Sequence, residues 1–170
     1  MRKLFLIVLA IAFSFTGCEK DDICDANTPT TPRLILTFYD FANPTVLKKI
    51  TGLNVTGVNE SVALNTFDAV DTIALPLKTK EDFTKYTLTL NASDPANSVT
   101  DLLQLNYSRE DIFVSRACGF KTIFDLNGTS LPAFILNDDA TVSQGNWIKK
   151  IEVIQPNINN ENETHLKIYF

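Results

Sequence analysis

The sequence predicts an all-β protein, a two-layer antiparallel β-sandwich of about nine strands behind an N-terminal targeting segment. Three observations predict it. From Arg33 onward apolar residues recur at every second position rather than every third or fourth. Clusters of Asn, Asp, Gly and Pro separate these runs at short intervals, where turns need residues that tolerate unusual backbone angles. No stretch of a dozen residues carries an apolar stripe at helical spacing.

The first element is residues 1–17. Arg2 and Lys3 precede a 12-residue uncharged run, Leu4 to Phe15, in which only Ser14 is polar. That length fits the apolar region of a signal peptide and is short for a transmembrane helix. The run ends in Phe15-Thr16-Gly17-Cys18, which resembles a bacterial lipobox, although Phe15 stands where Leu is usual. In such signals the Cys thiol takes a diacylglycerol, the chain is cut before it, and the new amine is acylated. The other reading is an ordinary secretory signal with Cys18 left free. Each buried acyl methylene contributes ~0.8 kcal/mol, so two or three chains hold a protein firmly on a membrane. Cys18 is followed by Glu19 and then Lys20-Asp21-Asp22, which resembles the surface-export signal of Bacteroidota lipoproteins; the competing reading is a solvated tether. The expected location is the outer membrane, with the cell surface expected if this signal acts.

Removing residues 1–17 leaves 153 residues and moves the formal charge from −5 to −7, because Arg2 and Lys3 leave with the signal. An acidic chain without clustered Lys and Arg is a poor nucleic-acid partner. It also gains nothing from anionic lipid, so attachment to the membrane falls to the acyl chains. Of the three cysteines, Cys24 and Cys118 remain after lipidation. In an oxidising compartment the simplest expectation is a Cys24–Cys118 disulfide; two separate thiols are the alternative.

Residues 18–32, anchor and linker, contain Thr28-Pro29-Thr30-Thr31-Pro32, an extended stretch. The domain follows over residues 33–170. Leu34, Leu36 and Phe38 make the first strand, and Leu53 and Val55 the second. Ile73, Leu75 and Leu77 make the third, with Pro76 arguing for an edge. Tyr86, Leu88 and Leu90 alternate with Lys85, Thr87 and Thr89, and Leu103, Leu105 and Tyr107 continue the pattern. Ile112 and Val114 share parity with Cys118, while Phe120, Phe124 and Leu126 share a face around Thr122. The stretches Trp147–Ile154 and Glu163–Phe170 form one hairpin over residues 155–162. Turns are expected at 40–44, 57–60, 91–97, 127–128, 137–139 and 156–162. An immunoglobulin-like arrangement is the first expectation for the topology; a jelly roll or partly closed barrel is the second.

Chemistry is sparse. One His and three Cys argue against a zinc site or a His-dependent triad. Glu110, Asp111, Asp138, Asp139 and Glu152 could be paired as a hydrolase would need, but so could most carboxylates in an acidic domain, and they read as solvated turn residues. Asn137-Asp138-Asp139 and Asn91-Ala92-Ser93-Asp94 offer oxygens but lack the offsets of a calcium loop. His165 is expected exposed on the polar face of the last strand. Trp147 is expected in the core. No catalytic residue, metal ligand or cofactor is assigned. Asp71-Thr72-Ile73 resembles the O-glycan acceptor of exported Bacteroidota proteins, which makes Thr72 a candidate for modification. Six N-x-S/T sequons, at Asn54, Asn59, Asn91, Asn106, Asn127 and Asn162, reflect an Asn- and Thr-rich composition behind a bacterial signal.

Three segments taken together carry a resemblance: Cys18-Glu19-Lys20-Asp21-Asp22-Ile23-Cys24, Thr28 to Ile35, and Ser115-Arg116-Ala117-Cys118-Gly119-Phe120-Lys121. They resemble a family of small flavobacterial (Bacteroidota) envelope lipoproteins with a domain of unknown function. The resemblance covers nearly the whole mature chain and is most specific at the paired Cys segments. It implies an envelope lipoprotein and no activity. The expected function is therefore a non-enzymatic, lipid-anchored module that binds a protein partner or supports an envelope assembly. The alternative is a glycan- or small-ligand-binding surface lipoprotein.

Overall fold

A computed structural model describes residues 23–59, 63–141 and 144–170. The signal peptide, Cys18 and Lys20-Asp21-Asp22 lie outside the described residues. The described chain is all-β, with twelve strands. In order they are β1 (Leu34–Tyr39), β2 (Leu53–Gly57), β3 (Ala63–Phe67), β4 (Thr72–Leu75), β5 (Phe83–Leu90) and β6 (Val99–Asn106), then β7 (Ser108–Ser115), β8 (Gly119–Asp125), β9 (Phe134–Leu136), β10 (Lys150–Val153), β11 (Asn157–Ile158) and β12 (Leu166–Tyr169). Two units divide it: residues 31–111 with 122–170, and residues 23–30 with 112–121.

In the larger unit one sheet runs β10-β12-β1-β4 and another β3-β2-β5-β6-β9. A third sheet has the order β11-β8-β7. Every pairing with a resolved register is antiparallel except β1 with β12, which run parallel with Leu36 beside Leu166 and Phe38 beside Ile168. Parallel neighbours need a long crossover, and ten intervening strands supply it here. Alternation sets the core as expected. Leu34, Leu36 and Phe38 of β1, Leu166 and Ile168 of β12, Leu53 and Val55 of β2, and Leu103 and Leu105 of β6 are all fully buried in one apolar cluster. Each such side chain contributes about 1.5–3 kcal/mol on leaving water. Trp147 is buried with them, and its indole N–H donates to the Leu88 carbonyl at 3.1 Å.

Twelve strands replace the expected nine because three short ones carry little alternation. In β3 the middle three residues are all exposed. β9 has three residues and β11 only two. The last hairpin forms as expected, with Ile151 opposite Ile168, but its loop dips back so that Ile158 pairs with Phe124 of β8. β4 is an edge strand, as Pro76 suggested. The turn chemistry holds in three of the expected turn regions: Asn59, Asn91, and the neighbours Asn137 and Asp138 adopt positive φ. Gly128 is obligatory after β8, since a Cβ there would lie 1.8 Å from Ser108 Oγ.

In the smaller unit Cys24 and Cys118 form a disulfide with their Cα atoms 4.9 Å apart. The Cys118 N–H donates to Ser115 Oγ at 3.0 Å, and Gly119 takes φ +71° to turn the chain into β8. Beside this turn the rings of Phe113 and Phe120 meet edge to face at 5.4 Å. The shared face expected for Phe120, Phe124 and Leu126 is therefore buried only in part: Thr122, Phe124 and Leu126 are buried, whereas Phe120 is exposed.

Candidate functional site

β3 and β4 each end a sheet, so each has one strand neighbour among the described residues. Their open edges flank a cavity of about 530 Å³ lined by Leu64, Asn65 and Phe67 of β3 and by Thr72, Ile73, Ala74 and Leu75 of β4, with Arg33, Val70 and Pro76 at its margins. A second cavity of about 420 Å³ shares Leu64 and Pro76 with it and continues past Leu77, Thr84 and Tyr86. Local sequence explains the opening. β2 and β3 shift register between Val55 and Thr56, which bends an edge strand. Pro76, just past the end of β4, has no N–H to continue a ladder, and its carbonyl accepts the Tyr86 hydroxyl. Leu64, a branched aliphatic side chain, is left 48% exposed on this flank.

The cations around the opening are already engaged. Arg33 makes three bonds to the Glu161 carboxylate: its backbone N–H and Nε to Oε1, each at 2.9 Å, and Nη2 to Oε2 at 2.6 Å. These bonds hold Glu161 below the usual carboxylate range. Lys78 pairs with Glu81 at 2.8 Å, and Lys85 with Asp138. Burial pushes the Tyr86 phenol well up, so it remains a donor. The flank thus offers apolar surface and two unextended strand edges, with little unpaired charge. Such a surface suits an added extended chain better than proton-transfer chemistry.

Four of the five carboxylates considered for a hydrolytic pair are bonded elsewhere. Asp111 accepts from Thr122 Oγ1 at 2.6 Å. Asp138 pairs with Lys85, and Asp139 caps Thr141 through its N–H and hydroxyl at 2.9 and 2.7 Å. Glu152 sits between Lys150 and the Tyr169 hydroxyl, bonds that lower its pKa. Glu110 lines a separate polar cavity of about 560 Å³ with Arg109, Asp125, Gln155, Asn157 and Asn159. Among the described residues no three His, Cys, Asp or Glu side chains gather as a metal-ligand set.

Asp101 and His165 are buried polar residues that were not foreseen. Asp101 is fully buried and accepts four bonds: from Asn137 Nδ2 at 2.7 Å and from the backbone N–H groups of Asn146, Trp147 and Ile148 at 2.6, 2.9 and 2.9 Å. It fixes the turn that delivers Trp147 to the core. A side chain at Gly145 would collide with this carboxylate, its Cβ 2.4 Å from Oδ1. His165 corrects the expectation of an exposed residue, being fully buried. It lies just before β12, where its N–H donates to the Ile35 carbonyl at 3.0 Å and its Nδ1 accepts the Ile35 N–H at 2.9 Å. The ring thereby replaces a backbone acceptor for β1. Nε2 is buried and has no hydrogen-bond partner among the described residues. Burial lowers the His165 pKa. Folding thus favours neutral imidazole, and this stability is complete above the unfolded value near ~6.5 and lost as pH falls through the lower folded value.

Of the remaining assigned residues, Cys24 and Cys118 are joined, and Thr72 is exposed at the start of edge strand β4, its hydroxyl donating to Asp71 Oδ1 at 3.1 Å. These features define an all-β protein with an open flank and a hairpin turn joined by a disulfide to the N-terminal segment. The profile of a family of unknown function, DUF6452, matches residues 49–170, and the chain belongs to that family. The match includes Cys118, the open flank and Asp101, and begins beyond Cys18 and Cys24. No curated protein and no solved structure matches the chain.

Proposed function

We propose that this protein is a non-enzymatic Bacteroidota envelope lipoprotein, held at the outer membrane by acyl chains on Cys18, whose β-domain binds an extended segment of an envelope protein along the β3–β4 flank. The observation that carries the binding reading is the pair of unextended sheet edges facing one apolar groove, with Leu64 uncovered between them. A peptide strand added there would gain main-chain hydrogen bonds from an edge and seat alternate side chains against Leu64, Phe67 and Pro76. The anchor reading is supported by Gly17-Cys18 directly behind the apolar run, and the surface-export reading by Lys20-Asp21-Asp22.

One set of strains tests these together. A fatty-acid analogue should label the wild type and not Cys18→Ser; equal labelling removes the anchor. Alanine at Lys20, Asp21 and Asp22 should keep the label but lower digestion by protease added to intact cells; a wild type fully protected from that protease removes the export reading. A photo-crosslinking residue in place of Leu64 should give one discrete protein adduct, and the same residue at exposed Ser130 none. No adduct at Leu64 removes the docking reading. Thr72, exposed on the same edge, is proposed as an O-glycan acceptor; the intact mass of the wild type against Thr72→Val tests it. The polar cavity beside Asn157 and Asn159 supports the second reading, a glycan or small polar ligand. Saccharide binding lost in Asn157→Ala would favour it over the flank.

A further inference from the structure

We infer that the tip of the β7–β8 hairpin is a membrane-contact surface, with Phe113 and Phe120 resting at the headgroup–acyl boundary of the leaflet that holds Cys18. This inference rests on the anchor reading above and deepens it. Phe113 is 57% exposed and Phe120 67% exposed. Their rings meet edge to face at 5.4 Å, so they form one aromatic face rather than two scattered contacts. Ile23, next to the disulfide, is 77% exposed. Residues 112–121 carry Arg116 and Lys121 and no carboxylate, whereas the segment that the disulfide joins to them carries Glu19, Lys20, Asp21, Asp22 and Asp25. Aromatic rings flanked by cations suit the boundary between acyl chains and phosphates.

Chain length selects lipid over other occupants. The Cys24–Cys118 bond ties the N-terminal segment to the hairpin turn. Only six residue steps separate Cys18 from Cys24. At about 3.6 Å each they span at most ~22 Å, so a lipid on Cys18 keeps the turn within that distance of its leaflet, whatever residues 25–32 do. A hydrophobic aromatic face confined so close to a bilayer has the bilayer as its nearest apolar partner.

The test uses the full lipidated protein carrying Phe120→Trp in phosphatidylcholine vesicles with brominated acyl chains. Trp147 is buried and supplies the background, measured in the wild type. Trp emission added by the substitution should shift to shorter wavelength and be quenched by the brominated chains, and F113W should behave alike if F120W folds poorly. The Cys18→Ser partner should lose that quenching. A labelled, vesicle-bound protein whose added emission is unquenched and open to aqueous acrylamide overturns the contact and leaves the anchor intact. Emission shielded from acrylamide but untouched by bromine shows a protein cover and also overturns it. Absence of fatty-acid label on Cys18 removes the reach argument and overturns both readings.

Discussion

The hairpin β7–β8 and its surroundings contain two edge-to-face aromatic pairs in opposite environments. Tyr107 and Phe124 meet at 5.1 Å and are buried, at 0% and 2% exposure. Phe113 and Phe120 meet at 5.4 Å with both rings largely in solvent. Phe120 and Phe124 lie on one strand, four residues apart and on the same side, so the alternation treats them as equals. The difference is what lies opposite. The Tyr107 hydroxyl is held by Thr84 at 2.6 Å and by the Lys78 carbonyl at 3.0 Å, and Ile158 of β11 stands beside Phe124. Phe120 meets another exposed ring, Phe113. Alternation reports the phase of a strand; it does not report how far the core beneath it extends.

The largest test of this contrast is Phe124→Ala. Truncating a buried Phe loses transfer energy and leaves a cavity, so about 3–5 kcal/mol of stability should go. Urea unfolding should show the midpoint fall with little change in slope. A loss below about 1 kcal/mol would mean that Phe124 is no better packed than Phe120, and the contrast would fail.

Removing the disulfide comes next. In the chain-entropy model, closing a loop with a sequence separation of 94 stabilises by about 4–5 kcal/mol. The expected loss in Cys24→Ser/Cys118→Ser is smaller, about 1–3 kcal/mol. Residues 23–30 hold themselves mainly by local bonds at Asp25, such as those from the N–H groups of Asn27 and Thr28, so once cut they regain freedom in the folded state too. The double variant should still fold, because the apolar cluster involves neither Cys, and should melt several degrees lower. An unchanged melting temperature would show that the bond confines the N-terminal segment without stabilising the domain.

Much of this arrangement was legible in the sequence, and the exceptions have physical reasons. Strong alternation located nine strands, and the disulfide followed from thiol arithmetic in an oxidising compartment. β3 was silent because its middle residues, Leu64, Asn65 and Thr66, are all exposed, so neither face is forced to be apolar. β9 and β11 are too short to show a period. His165 misled because it falls out of phase with Leu166 and Ile168, yet it sits before the strand proper, where its ring serves β1. Asp101 had a signal that could have been read: it lies in phase with Leu103, Leu105 and Tyr107, and a carboxylate on the apolar phase of a strand must be buried with donors around it. The flank could be read only in part: Pro76 marked the β4 edge, but that β3 ends another sheet depends on topology, which is not written in alternation.

The smallest expected effect is the sharpest test. Phe120→Ser removes a large apolar side chain, and at a buried site that would be among the costliest substitutions. Here the ring is 67% exposed, so little transfer energy is lost. An edge-to-face pair adds about 0.5–1.5 kcal/mol in general, and with both rings largely in water the lower end applies. Serine is also a weaker strand former than Phe, on a scale spanning about 1 kcal/mol. These contributions fall on residues 112–121, which can open locally while the larger unit stays folded. The urea midpoint should therefore shift by no more than about 0.5 kcal/mol in stability. Amide exchange should quicken across residues 112–121 and stay unchanged in β5 and β6. If Phe120→Ser instead costs as much as Phe124→Ala, the tip is buried in solution by something absent from the isolated chain. The two aromatic pairs would then be equivalent, and the free face at the hairpin tip would be lost along with their contrast.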